Sequence, residues 1–181
     1  MLNMAEAQNK SIGILGGSFD PVHKGHLIIS KIAIRKIKLK KLYWVVTKKN
    51  PFKKKAFFSL KERLFKTKKI KKKQKNIEVL YLDKIVRSSK SIDTIKYIIK
   101  KNYSKKLYFL IGSDNLINFH KWKNWKKIVK IVKLVVFSRE GYDKRGKESI
   151  VAKYLNKKNI IFINNQHIKF SSTKIRKKIN R

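Results

Sequence analysis

Short apolar runs alternate along the chain with segments whose apolar residues recur at helical spacing. The runs are four to six residues long and rich in β-branched and aromatic side chains, which is typical of buried strands. They cover residues 12–15, 42–46, 77–82, 107–111, 134–137 and 160–163. Helical patterns lie between them over residues 27–37, 92–99 and 122–132, and a more mixed one over residues 60–70. The alternation predicts an α/β protein with an open, mostly parallel sheet of five to six strands and helices on both faces.

Lysine dominates the polar positions of this pattern. The 181 residues carry 49 Lys+Arg against 10 Asp+Glu, a formal net charge of +39, and 42% of them are hydrophobic. That apolar share predicts a single folded domain over residues 1–181, in which residues 1–10 form a loose extension. Such a charge is typical of nucleic-acid-binding proteins. The lysines, however, are spread over almost every segment, and Lys, Ile and Asn share A/T-rich codons. Compositional drift therefore explains the charge better than a specific nucleic-acid partner.

Other features of the composition exclude whole classes of protein. The chain has no cysteine, which excludes a disulfide scaffold, a cysteine-ligated zinc site and a thiolate nucleophile. No run approaches the roughly 18 apolar residues of a membrane helix. The first ten residues lack a basic segment followed by an apolar one, so they do not resemble a secretory signal. We therefore expect a cytoplasmic protein with no membrane partner; the oligomeric state is left open.

The candidate chemistry lies where the first predicted strand runs into GGSFDPVHKGH, residues 16–26. Glycines between a strand and a helix let the backbone approach a phosphate, toward which the helix N-terminus directs its free N–H groups. His23 and His26 share one face of the first helical turn, and Gly25 between them leaves room for a ligand. Two imidazoles at this place suit a triphosphate whose charge shifts in a transition state. Capping or surface histidines are the alternative, which the pairing in one glycine-rich turn disfavours.

The motif resembles the signature of the HxGH nucleotidyltransferase superfamily. Three further segments narrow the resemblance to the bacterial nicotinate-nucleotide adenylyltransferases. Residues 109–122 (FLIGSDNLINFHKW) resemble that family's I-G-x-D-x-L…F-x-x-W block, residues 170–176 (FSSTKIR) its I-S-S-T-x-I-R segment, and residues 91–94 the end of its S-Y-T-x-x-T segment. The matches keep the family's order over residues 11–176, and they imply a Rossmann-like fold.

The resemblance implies an enzyme of NAD biosynthesis. It would transfer the adenylyl group of ATP to the phosphate of nicotinate mononucleotide, giving nicotinate adenine dinucleotide (deamido-NAD) and pyrophosphate. Mg²⁺ would accompany ATP and be held mainly by the substrate phosphates rather than by protein ligands. The implied catalytic residues are His23 and His26. The implied ATP-binding residues are Gly16, Gly17, Ser18, Phe19, His23, His26, Ser172 and Arg176. The implied nicotinate-nucleotide-binding residues are Lys53, Lys54, Asp114, Trp122 and Arg139.

Several of these residues have a structural alternative. Asp114 could hold a ribose hydroxyl or cap a helix, and Arg176 could bind phosphates or lie on the surface of a capped helix. We expect Trp122 to stack on the acceptor's pyridine ring and Trp125 to join the core, and we expect His120 and His167 to be structural.

The function also has alternatives. The family's S-Y-T triplet reads Ser89-Lys90-Ser91 here, so selectivity between the acid and amide nucleotides stays open. Phosphopantetheine adenylyltransferase is the enzyme alternative, and a basic RNA-associated protein that kept the fold is the alternative from another class.

Overall fold

The computed structural model describes residues 11–48, 56–102, 106–165 and 171–179. Its six strands form one parallel sheet in the order β3-β2-β1-β4-β5-β6. The strands are β1 (Ser11–Gly17), β2 (Lys41–Val46), β3 (Ile77–Leu80), β4 (Lys106–Gly112), β5 (Lys133–Phe137) and β6 (Ile160–Ile163). The sheet confirms the predicted fold class, and each apolar run forms a strand; only the third ends two residues earlier than its run.

The helices follow the strands in alternation. They are α1 (Lys24–Ile37), α2 (Leu60–Lys71), α3 (Ser91–Asn102), α4 (Ser113–Ile117), α5 (Trp125–Ile131), α6 (Asp143–Lys147), α7 (Ile150–Leu155) and α8 (Ser172–Ile179), with a 3₁₀ turn over Phe119–Lys121. In the described part of the chain, no helix is long and apolar enough to cross a membrane.

One predicted helix, over residues 122–132, is wrong at its start. α5 begins only at Trp125, because Asn124 adopts a left-handed backbone with φ 58° that separates it from the 3₁₀ turn. Trp122 and Trp125 therefore do not share one helical stripe.

Both faces of the sheet are covered, because inward-pointing residues alternate along the strands. α3, α5 and α7 pack on the face that holds Ile14 and Phe109, whereas α1 and α2 pack on the face that holds Trp44 and Leu110. Stretches that connect parallel strands must cross over the sheet, which explains the helix after nearly every strand.

The strand order reverses at the centre of the sheet. β1 pairs with β2 on one side (Gly17 opposite Val46) and with β4 on the other (Leu15 opposite Leu110). The chain moves outward from β1 to β3 and then outward in the opposite direction from β4 to β6. The connections that leave β1 and β4 thus diverge, and a crevice opens between them at the carboxyl edge, where open α/β sheets bind ligands.

Two helices end on left-handed residues other than glycine. Lys38 follows α1 with φ 54°, and Asn156 follows α7 with φ 41°. Seven non-glycine residues in the described ranges have a positive φ.

Candidate active site

A cleft of about 620 Å³ lies at the carboxyl edge of the sheet, at the reversal of strand order. A volume of this size is typical of pockets that bury a small-molecule ligand. Ten of the residues predicted for substrate binding line it: Gly16, Gly17, Ser18, Phe19, His23, His26, Asp114, Trp122, Arg139 and Ser172. The sheet thus brings the residues predicted for ATP together with those predicted for the acceptor nucleotide, although they are far apart in the sequence.

The first wall of the cleft is the glycine-rich turn after β1. The Thr47 N–H donates to the Gly17 carbonyl at 3.0 Å, which fixes the turn beside the end of β2. Phe19 has a left-handed backbone with φ 47°, and its buried ring packs on Trp44 at 5.4 Å and on His26 at 4.9 Å between centroids. The peptide bond between Asp20 and Pro21 is cis. α1 begins directly after this turn, at Lys24, as the motif predicts.

The two histidines of the turn lie against each other, with ring centroids 4.0 Å apart. The backbone N–H of His23 donates to Nδ1 of His26 at 3.2 Å. A nitrogen that accepts a hydrogen bond carries no proton, so the proton of the neutral His26 ring is on Nε2. His26 is therefore arranged to donate through Nε2.

A hydrogen-bonded chain below the histidines fixes the backbone of His26. The Ser30 hydroxyl donates to the His26 carbonyl at 2.7 Å, and Nε1–H of the fully buried Trp44 donates to the Ser30 hydroxyl at 2.8 Å. Because Ser30 and Trp44 are both buried in the core, they hold the backbone from which the His26 side chain extends.

His23 is only 7% exposed. Burial is the main reason that the pKa of His23 is lowered to about 4, and the nearby positive charge of Arg139 contributes to the same shift. The imidazole is neutral at pH 7, so it serves as a hydrogen-bonding group rather than as a cation. Positive charge in the cleft comes from Arg139 and from the lysines that also line it, Lys90, Lys121 and Lys123.

The opposite wall is the turn from β4 into α4. Arg139 places Nε 3.7 Å from Oδ1 of Asp114, and the Arg139 backbone N–H donates to Ser113 Oγ at 3.0 Å and to Asp143 Oδ1 at 2.9 Å. A side chain at Gly112 would collide with the Asp114 carboxylate and would lie 3.3 Å from Arg139. The absence of a side chain at Gly112 therefore leaves room for this close approach.

Asp114 is not a helix cap. The N-cap of α4 is Gly112, and Oδ1 of Asp114 is buried without a hydrogen-bond partner in the described structure. A buried carboxylate oxygen that lacks a donor is satisfied when a ligand supplies one, as a ribose hydroxyl would.

The two tryptophans occupy different places. Trp122 lines the cleft, stacks on Phe119 at 4.8 Å between centroids and meets the edge of Phe109 at 6.0 Å. Trp125 packs edge-on against Tyr154 at 5.1 Å and belongs to the rim of the hydrophobic core. Of the two, Trp122 is the one that lines the cleft, and its stacking on a bound ring stays a prediction.

The C-terminal motif docks on the glycine-rich turn. The Ser172 hydroxyl donates to the Pro21 carbonyl at 2.9 Å. Arg176 does not line the cleft: its guanidinium donates to the Asp20 carbonyl and to Thr173 Oγ1, and it lies 4.0 Å from the Asp20 carboxylate. Its predicted contact with phosphate stays a prediction. Lys53, Lys54 and His167 lie outside the described residues.

Several residues that line the cleft escaped the sequence analysis. Asp83 and Asn165 each follow a strand, β3 and β6, and the rule that ligands bind at carboxyl ends of strands could have found them. Lys121 and Lys123 also line the cleft but gave no signal, since they look like any other lysine of this chain.

Comparisons with known proteins show the family of the chain. The cytidylyltransferase-like family model matches residues 14–178. "Probable nicotinate-nucleotide adenylyltransferase" of Pelagibacter ubique is 44% identical over 97% of both chains, and the protein of the same name from Clostridium tetani is 34% identical over 95% of this chain and 88% of its own length.

A solved structure shows the same fold. It is titled Plasmodium falciparum nicotinic acid mononucleotide adenylyltransferase complexed with NaAD, and it superposes with a TM-score of 0.74 at 19% identity, covering 93% of this chain and 83% of that one. By its family model, its curated relatives and its fold, this chain belongs to the nicotinate-nucleotide adenylyltransferase family of cytidylyltransferase-like proteins.

Proposed function

We propose that this protein transfers the adenylyl group of ATP to the phosphate of nicotinate mononucleotide, as an enzyme of NAD biosynthesis. The observation that carries the proposal is a single cleft whose two walls differ in chemistry. The glycine-rich turn with its histidine pair suits a triphosphate, and Asp114 with Trp122 suits a nucleoside that carries an aromatic ring. The family membership points to the same reaction.

In this reaction an oxygen of the acceptor phosphate attacks the α-phosphorus of ATP. The new P–O bond forms on one side, the bond between the α-phosphorus and the oxygen bridging to the β-phosphorus breaks on the other, and pyrophosphate leaves. The attacking oxygen is already ionised at pH 7, so no general base is needed. The protein has to hold two anions in line and stabilise the charge that shifts toward the leaving group.

The histidines supply donors for that charge. His26, with its proton on Nε2, donates to a phosphoryl oxygen, and the neutral His23 ring lies against it. A donor placed where negative charge develops lowers the barrier more than it strengthens ground-state binding. The lysines of the cleft and Arg139 attract both anionic substrates.

Mg²⁺ belongs to the proposal as a companion of ATP. Within the described ranges, no three His, Asp or Glu side chains come together. Asp20 and Asp83 already accept backbone N–H groups, of Phe57, Phe58 and Lys48. With these carboxylates already engaged, the described residues fit a Mg²⁺ ion that is held mainly by phosphates and water. Such an ion neutralises charge on the triphosphate. The proposed location is the cytoplasm, where ATP is available.

The test is pyrophosphate release from ATP and Mg²⁺ with each acceptor offered separately. We expect turnover with nicotinate mononucleotide, much slower turnover with nicotinamide mononucleotide, and none with phosphopantetheine. Equal rates with the acid and the amide would overturn the proposed acceptor, and a preference for phosphopantetheine would overturn the assignment as a whole.

A further inference from the structure

Arg63 is a buried charge that the proposed reaction does not use. It lies on α2, a helix whose other basic residues are lysines, and it is only 2% exposed. Arginine is almost never buried in this way unless its donors are satisfied, because an unpaired charge in the interior is costly. The partners of Arg63 therefore show what the residue is for.

The guanidinium donates to carbonyl groups of three separate segments. Its Nη1 donates to the Ser18 carbonyl at 2.7 Å and to the Thr47 carbonyl at 2.8 Å. Its Nη2 donates to the Lys48 carbonyl at 3.1 Å, and Nε donates to the Phe58 carbonyl at 3.2 Å. Ser18 belongs to the glycine-rich turn, and Thr47 lines the cleft at the end of β2. One planar fork thus joins two segments that line the same side of the cleft, the glycine-rich turn and the end of β2.

Two carboxylates bind the N–H groups of the same segments whose carbonyl groups Arg63 binds. Asp20 accepts the backbone N–H groups of Phe57 and Phe58, each at 2.8 Å. Asp83 accepts the Lys48 N–H at 2.8 Å and the Thr47 hydroxyl at 3.2 Å. At both Lys48 and Phe58, the N–H is held by an aspartate while the C=O is held by Arg63. Burial lowers the pKa of Arg63, and the charges of Asp20 and Asp83 oppose that effect.

We propose that Arg63 is a positioning residue of the reaction, which fixes the ATP-side turn at Ser18 relative to the cleft wall at Thr47. The inference rests on the proposed function, because the exact position of the ATP-side turn matters to the rate only when ATP must be held in line with a second substrate. In-line transfer depends on the distance between the reacting groups, and a misplacement of about 1 Å can reduce the rate about 100-fold.

The test is the Arg63→Lys substitution in the full chain. Lysine keeps the positive charge, but a single ammonium cannot reproduce the fork that spans three segments. We expect kcat to fall at least about tenfold while the affinity for ATP alone, measured by calorimetry, changes less than about threefold. The groups that line the ATP turn remain in R63K, so binding survives where alignment is lost.

Two control variants separate positioning from general destabilisation. Arg35→Lys changes an exposed arginine of α1. Ile160→Ala removes core contacts at the amino end of β6, on the edge of the sheet opposite the cleft. Both controls should keep kcat within about twofold of the wild type when assayed well below their thermal midpoints. A wild-type kcat in R63K, or an equal loss in I160A, would overturn the inference.

Hydrogen exchange gives a readout that does not depend on catalysis. In R63K the amides of Lys48, Phe57 and Phe58 should exchange faster than in the wild type, while those of β5 should not change. Unchanged exchange at these amides would overturn the positioning role. If the exchange changes as expected but the wild-type protein transfers no adenylyl group, the proposed function fails and the arrangement around Arg63 stands.

Discussion

Because His23 is buried, we predict that the free energy of unfolding depends on pH through the protonation of this residue. Its pKa is about 4 in the folded protein, against an ordinary value of 6.5. The unfolded chain therefore takes up a proton that the folded chain refuses. The contribution of His23 to stability is complete above pH 6.5 and is lost as the pH falls from 6.5 toward 4.

The size of the effect follows from the two pKa values. At pH 5 the unfolded histidine is almost fully protonated and the folded one is almost entirely neutral. Integrating the difference from pH 8 to pH 5 gives a loss of roughly 2 kcal/mol in the free energy of unfolding. For a chain of this length that loss corresponds to a drop of about 4–8 °C in Tm. The lowered pKa values of Asp143 and Glu62 affect stability mainly below this pH range.

Urea unfolding of the ligand-free protein at pH 8, 6.5 and 5 measures the loss, with His23→Gln as the variant that does not titrate. The wild type should lose roughly 2 kcal/mol more than H23Q across this range. An NMR titration of the histidine C–H signals should show one resonance, missing in H23Q, that moves near pH 4. An equal pH dependence in both proteins, or a His23 signal that titrates near 6.5, would refute the reasoning.

The remaining predictions concern the two walls of the cleft. His26→Ala should lower kcat at least about 100-fold with little change in the KM for ATP, because a donor to the transition state is lost; a near-wild-type kcat in steady-state assays would show that the histidine is structural. Gly112→Ala should raise the KM for nicotinate mononucleotide about tenfold, since the new methyl group displaces Asp114 and Arg139. The KM for ATP in the same variant is the internal control, and an equal rise for both substrates would mean that the whole sheet edge has moved.

The strands and the glycine-rich turn were predictable because their signals are local. Runs such as residues 107–111 are apolar enough to be read directly, and the helix start beside His23 follows from the turn. The contact of Asp114 with Arg139 needed the sheet order, because only the pairing of β4 with β5 brings residues of these distant segments together.

Arg63 was hidden from the sequence for a different physical reason. The buried positions of α2 are Arg63 and Thr67, both polar, so the hydrophobic pattern of this helix is mixed and its lysines suggest a solvated surface. Burial of Arg63 depends on carbonyl groups from three other segments, which no periodicity within the helix can indicate. The separation of Trp122 from Trp125 was equally hidden, since it depends on the backbone of Asn124.

Two helices of this protein end on left-handed residues at which glycine would be less strained. Glycine is the residue that adopts this conformation without strain, and the whole chain contains seven glycines. Lys38 and Asn156 stand instead at the ends of α1 and α7. A left-handed backbone costs an ordinary side chain about 1–2 kcal/mol, and asparagine pays less than lysine. Helix ends such as Lys38 therefore lower the folding stability, and they are where substitutions toward a more thermostable form of this enzyme would begin.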